Sequence, residues 1–157
     1  MNLFPRAYER FLSQIDNIVM PRRSKDTRVR NRGYFYFDNR NLKKSQSFDD
    51  IISMLFSGVP AYREVASFIV NSLRYKAAEE KRVNPYWITA SEMSKIILQG
   101  LGPSRKPMAY KVLYEFLIPY GIIRKDESEN RYYLARDFSL ALRKIAESYD
   151  KWLASNT

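Results

Sequence analysis

Residues 86–134, YWITASEMSKIILQGLGPSRKPMAYKVLYEFLIPYGIIRKDESENRYYL, carry the pattern that decides the fold. Tyr86-Trp87-Ile88-Thr89 is a short run of β-formers. Thr89 or Ser91 can cap the helix that follows, because a side-chain oxygen there accepts an early amide that has no partner within the helix. With Ser91 as the cap, Ser94 takes the position a capping-box Glu would occupy, and the cap is an ordinary one. The helix runs to about Gln99 and offers Met93, Ile96 and Ile97 to a core. Gly100-Leu101-Gly102-Pro103-Ser104 is a turn, with two glycines free to take positive φ. A third helix extends to about Tyr120, with Pro107 in its first turn, where a missing N–H costs nothing. Gly121 stops it. Ile122-Ile123-Arg124-Lys125 and Arg131-Tyr132-Tyr133-Leu134 then read as two strands of a hairpin, joined by Asp126-Glu127-Ser128-Glu129-Asn130.

Working outward, Ser47 with Asp49 and Asp50 starts a helix over Phe48 to Phe56, which Gly58 ends. Pro60 opens a helix over about 60–81, with Val65, Ile69, Val70, Leu73 and Ala77 on one side, and Asn84-Pro85 breaks it. Further upstream, Phe4, Ala7, Tyr8, Phe11, Ile15, Ile18 and Val19 follow helical spacing until Pro21. Arg22, Arg23, Lys25, Arg28, Arg30 and Arg32 make a basic arm, and Tyr34-Phe35-Tyr36-Phe37 reads as a strand. Between Pro21 and Lys44 there are nine Lys/Arg and two Asp, so most of the net charge of +10 lies in under a sixth of the chain. On the other side, Asp137 begins a helix to about Ala154. Its Phe138, Leu142, Ile145, Tyr149 and Trp152 are spaced 4-3-4-3, the apolar seam of a short coiled coil and a candidate dimerisation element. Three parts result: an N-terminal helix, basic arm and aromatic strand (1–47), a central domain (48–136) and a C-terminal helix (137–157).

The order helix, short strand, helix, turn, helix, hairpin over about residues 62–136 resembles the winged helix-turn-helix DNA-binding superfamily. The resemblance lies in element order, lengths and residue character. It implies a mainly α fold with a small β-hairpin, and a third helix that enters the major groove of duplex DNA. Spacing turns Val112, Leu113, Phe116 and Leu117 of that helix to the core, leaving Ser104, Arg105, Lys106, Tyr110, Lys111 and Tyr114 for solvent or DNA. Ser104 and nearby amides can hold a phosphate, and Arg105 and Lys106 can reach phosphates or guanine edges. In the superfamily the hairpin tip often brings cations to the minor groove. Here the tip is acidic, which leaves Arg124, Lys125 and Arg131 at the hairpin base as the wing's contacts. Members with such a terminal helix often dimerise through it, and a homodimer favours a palindromic site. The basic arm adds sequence-independent contact through counterion release.

Composition narrows the classes. With no Cys and no His, disulfides, thiolate or imidazole metal sites and Cys- or His-based catalysis are excluded. The acidic groups Asp49-Asp50, Glu79-Glu80 and Asp126-Glu127-Glu129 have plain explanations as a helix start, a solvated face and a turn. Gly100-Leu101-Gly102-Pro103 lacks the Lys-Ser/Thr of a nucleotide loop. The expectation is a binding protein that is not an enzyme and takes no cofactor or metal. A pI near 9.8 points to a polyanionic partner. No run approaches the roughly 18 apolar residues of a membrane span, and the first residues lack a signal peptide's layout. A cytoplasmic location is expected, nucleoid-associated in a prokaryote. The richness in Lys, Arg, Tyr and Ile, with no Cys, resembles thermophilic archaeal or archaeal-virus proteins. Two further partner classes stand beside duplex DNA. One is a protein docked on the winged helix, within a transcription, replication or segregation complex. The other is RNA, with bases stacked on Tyr34-Phe35-Tyr36-Phe37.

Overall fold

The structure, a computed structural model, describes residues 35–155, all within one compact unit. The expected N-terminal helix and the basic arm Arg22–Arg32 lie outside the described residues. The fold is mainly helical with a small three-stranded antiparallel sheet, and its elements follow the winged-helix order. Helix α1 spans Phe48–Leu55 and α2 spans Pro60–Glu79. Strand β1 (Trp87–Thr89) leads into α3 (Ala90–Leu101), and a single 3-10 turn (Pro103–Arg105) joins α3 to α4 (Lys106–Val112). The hairpin is β2 (Ile123–Asp126) and β3 (Arg131–Leu134), and α5 covers Asp137–Ser155.

Caps fix where these helices begin. Ser47 accepts the Asp50 amide while the Asp50 carboxylate accepts the Ser47 amide, a reciprocal box at the start of α1. The same device opens α3, with Thr89 as the cap and Glu92 three residues on. This decides between the two expected caps. Thr89 is chosen, and the reciprocal partner that a Ser91 cap would have lacked is present. Pro60 sits in the first turn of α2, where it gives up no hydrogen bond.

The core lies between α2, α3, α4 and the inner face of the sheet. Val65, Phe68, Ile69 and Leu73 of α2 meet Met93 and Ile97 of α3, Val112 and Leu113 of the third helix, and Ile88 and Ile123 of the strands, all buried. Each such side chain contributes roughly 1.5–3 kcal/mol. Gly100 corrects the expected turn. It is the penultimate residue of α3 rather than a positive-φ residue, and a Cβ there would stand 2.0 Å from Cζ of Phe68. The α2–α3 packing therefore needs glycine. Gly102 does take positive φ (81°), as does Gly121 (78°), where a Cβ would collide with Asp137 and the Phe138 amide.

The third helix also departs from expectation. Its α-helical part ends at Val112 and gives way to a wider π turn over Leu113–Leu117, closed by the Ile118 amide donating to the Leu113 carbonyl (3.0 Å). Leu113 and Leu117 are buried. Phe116 joins Phe56, Tyr62 and Tyr120 in an aromatic cluster, with the Phe56 and Phe116 rings 5.5 Å apart, edge to face.

The aromatic segment is a second correction. Phe35, Tyr36 and Phe37 pair with no strand among the described residues. The Tyr36 amide donates to the Met54 carbonyl at the end of α1, and all three side chains are exposed. Among the described residues, none of these three joins the three-stranded sheet, whose strands are Trp87–Thr89, Ile123–Asp126 and Arg131–Leu134. No helix of the described residues is long and apolar enough to cross a membrane.

Candidate nucleic-acid interface

Among the expected contacts on the third helix, Ser104, Lys106, Lys111 and Tyr114 are exposed, while Arg105 and Tyr110 are half-buried. Their roles differ from the simple basic face read from the sequence. Arg105 caps the start of α4 and its guanidinium donates to the Glu64 carboxylate of α2 (3.1 Å). It is an anchored cation, not a free one. Ser104 lies inside the 3-10 turn, one residue before that cap, and no side chain caps α4. Lys106 has no carboxylate partner among the described residues. Lys111 sits 4.0 Å from the Glu115 carboxylate and 5.8 Å over the Tyr62 ring.

Tyr110 and Tyr114 stack one turn apart, 6.2 Å between ring centres. The Tyr114 hydroxyl is 2.5 Å from that of Tyr132 on β3, so helix and wing are joined by a hydrogen bond. Burial, and then this bond, push the Tyr132 phenol well above its ordinary pKa. Lys125 of β2 lies 5.6 Å over the Tyr114 ring and 5.9 Å over that of Tyr132. The structure thus brings together Tyr110, Tyr114 and Lys125, and adds Tyr132, whose place in a strand carries no sign of this role in the sequence.

The wing explains its own acidity. Asp126 accepts the amides of Ser128 and Glu129 and the Ser128 hydroxyl, which closes the turn. Glu127 pairs with Lys125 (2.9 Å) and Glu129 with Arg131 (2.7 Å). Two of the three expected wing cations are therefore neutralised by the tip, and the Glu127 carboxylate is the first cause of the raised pKa of Lys125. Arg124 alone of the three lacks a carboxylate partner among the described residues.

A second surface was not foreseen. The register Trp87↔Tyr133↔Arg124 places these three on the outer face of the sheet, opposite the buried Ile88 and Tyr132. Arg82 and Arg131 lie 4.3 and 4.0 Å from the Trp87 ring, Arg124 is 6.0 Å from that of Tyr133, and Arg74 is 5.6 Å from that of Tyr86. A cleft of about 610 Å³ opens beside them, lined by Tyr86, Tyr133, Arg124 and Arg136. Period-two alternation in Arg124 to Asp126 and Arg131 to Tyr133 announced an arginine-bearing outer face. Arg74 and Arg82 join it only through tertiary packing.

The expected dimerisation seam divides in two. Phe138 is half-buried at the root of α5, whereas Leu142, Ile145, Tyr149 and Trp152 are exposed on a helix with no buried residue. Comparison of the chain with known protein families, curated proteins and solved structures found no match.

Proposed function

We propose that the protein binds double-stranded DNA as a winged helix-turn-helix dimer, in the manner of a transcriptional regulator or DNA-organising protein. One observation carries the reading. The helix after the turn buries Ala109, Val112, Leu113 and Leu117, and turns Ser104, Lys106, Lys111 and Tyr114 to solvent in a chain of net charge +10. A helix held by its apolar side with a basic, hydroxyl-bearing face outward fits the major groove. Lys106 and Lys111 take phosphates, Tyr110 and Tyr114 offer hydroxyls and ring edges, and Arg124 reaches the backbone from the wing. The arm Arg22–Arg32 supplies contact that does not depend on sequence. A cytoplasmic location, nucleoid-associated in a prokaryote, goes with this reading.

The acidic tip favours a second reading, in which the wing stands off the duplex or docks on protein, since Glu127 and Glu129 hold the cations that a minor-groove wing would use. Fluorescence anisotropy on random duplex DNA, single-stranded DNA and duplex RNA, across roughly 50–200 mM salt, separates the two. Ten-fold or greater preference for duplex DNA, falling steeply with salt, is the result expected. No binding, or equal binding to all three, sinks the DNA reading and turns attention to protein partners.

A further inference from the structure

The arginines around the sheet are of two kinds. Arg82 and Arg131, which crowd the Trp87 ring, donate to Glu92 and Glu129 at 2.7 Å each, so their charge is cancelled inside the domain. Arg74, Arg124 and Arg136 are exposed, and none of them has a carboxylate partner among the described residues. They come from three different elements: α2, β2 and the link between β3 and α5.

Their placement follows two adjoining clefts. Arg124 and Arg136 line the cleft of about 610 Å³ together with Tyr86 and Tyr133. Arg74 and Arg136 line a second cleft, of about 340 Å³, with Phe48, Val70 and Phe138 among its walls. Leu134, Ala135 and Arg136 belong to both, so the clefts meet across that segment and the cations follow one another as Arg124, Arg136 and Arg74. Asp137 is the one carboxylate among the residues lining either cleft. Three neighbouring cations with so little acid beside them repel one another until an anion meets them.

The rings narrow the class of anion. Arg74 stands 5.6 Å over the Tyr86 ring and Arg124 6.0 Å over that of Tyr133. An aromatic face beside a cation receives the base and the phosphate of one nucleotide. A duplex keeps its base faces stacked inside, so it would use the cations and leave the rings idle. A mononucleotide brings its phosphates to one point and would leave part of a row of three arginines unmet. Repeated phosphates with unstacked bases belong to a single strand.

We propose that this face, where β2, β3 and α2 meet, binds single-stranded nucleic acid, with successive phosphates on Arg124, Arg136 and Arg74 and bases against Tyr133 and Tyr86. Three phosphates mark a short stretch of about four nucleotides, the lower end of the range for such sites. The strand is therefore held less tightly than a duplex on the third helix. The proposal stands apart from the duplex reading, and Arg124 is the one residue common to both, so it is left unchanged in the test.

Anisotropy of the full chain is measured with a labelled oligothymidylate of about twelve nucleotides and with an abasic oligomer of the same length, which has the phosphates without the bases. The wild type should bind the first at least about fivefold more tightly, the effect of one weakly stacked base. Tyr133→Leu should bring that ratio close to one and leave abasic affinity unchanged. Arg74→Ala/Arg136→Ala should weaken both oligomers and flatten the salt slope by about 1.4, or about 0.7 for each phosphate lost, while random-duplex affinity holds. Both arginines are exposed, and an unchanged melting temperature checks that the double variant keeps the fold. The basic arm meets both oligomers alike and is the same in every variant, so it cancels from these comparisons. Equal affinity of the wild type for the two oligomers overturns the proposal, as does an unaltered slope in the double arginine variant. Displacement of the oligothymidylate by oligoglutamate at matched charge would give the face to an acidic protein and also overturn it. Binding of oligouridylate or of oligothymidylate supports it, and their ratio identifies RNA or DNA as the source of the strand. Loss of duplex binding with the oligomer ratio intact sinks the duplex reading and leaves this one standing.

Discussion

Arg105, at the start of the third helix, donates to the carboxylate of Glu64 on α2 across 3.1 Å, with both side chains partly shielded from solvent. The pair fixes the start of α4 against the domain and holds a cation that a phosphate would otherwise attract. Glu64→Gln keeps the shape and removes the competing charge. The expected outcome is tighter binding to random duplex, with a salt slope steeper by about 0.9, the value of one additional phosphate contact. Stability falls by no more than about 1 kcal/mol, since the pair is partly exposed. An unchanged slope would show that Arg105 has no part in DNA contact.

Replacing Arg105 and Lys106 together by Ala gives the complementary loss. Each base-reading contact removed costs a specific site about 1–3 kcal/mol, while random duplex weakens less. Competition titrations on a selected site and on random duplex separate these effects. Equal affinity for the selected site before and after the change would move the interface off this helix.

Glu92 is one group through which stability depends on pH. Burial pushes its pKa up, but the Thr89 amide, the Arg82 guanidinium at 2.7 Å and the Thr89 hydroxyl together hold it below the ordinary carboxylate value. A lowered folded pKa means that the unfolded chain binds the proton more readily. The contribution is therefore complete above the unfolded pKa, near 4.5, and is lost as pH falls through the folded value. Glu92→Ala should cost about 1–2 kcal/mol at pH 7 through the broken cap and pair. Urea titrations from neutral to acid pH test this, and the gap between wild type and variant should narrow below about pH 4. A constant gap would assign the loss to packing alone.

Much of this architecture was legible because it rests on local rules. Pro60, Gly121 and the Ser47 cap mark element ends through local chemistry alone, and the alternation of Ile123 to Asp126 marks a strand. What escaped depends on neighbours distant in sequence. Gly100 looked like a turn residue, yet its role is to admit the Phe68 ring, 32 positions away. Arg105 looked free because Glu64 is 41 residues off. The Thr89 box is a local motif that competed with an equally local Ser91, and strand β1 decided it by placing Thr89 at the junction. Phe35 to Phe37 have strand composition, but composition cannot supply a neighbouring edge. For the site, the helix face was readable from its period. The ring-and-guanidinium surface of Trp87, Tyr133 and Arg124 was not, because the register of three strands assembles it.

The contact between Gly100 and Phe68 predicts a compensating pair. Gly100→Ala places a methyl group 2.0 Å from Cζ of the ring, so helix α3 or the ring must move, and overpacking costs about 1–3 kcal/mol against the fraction of a kcal/mol gained in helix propensity. Combining it with Phe68→Leu should recover part of that loss, giving a double variant less destabilised than the sum of the two. Additive losses in the double-mutant cycle would show that the backbone, not the ring, absorbs the strain.

Ser72 offers the opposite sign. It is buried within α2 at 3% exposure, and its hydroxyl has no hydrogen-bond partner among the described residues. An unpaired hydroxyl costs about 1–3 kcal/mol in desolvation, and Ala is also the better helix former. Ser72→Ala should therefore raise stability by about 1 kcal/mol, allowing for the small void left by one oxygen, with duplex affinity unchanged because α2 buries this position away from any surface. Chemical denaturation measures it: the midpoint should move up at constant slope. A fall in stability would mean that the hydroxyl is satisfied in solution by a group that binds it inside the domain.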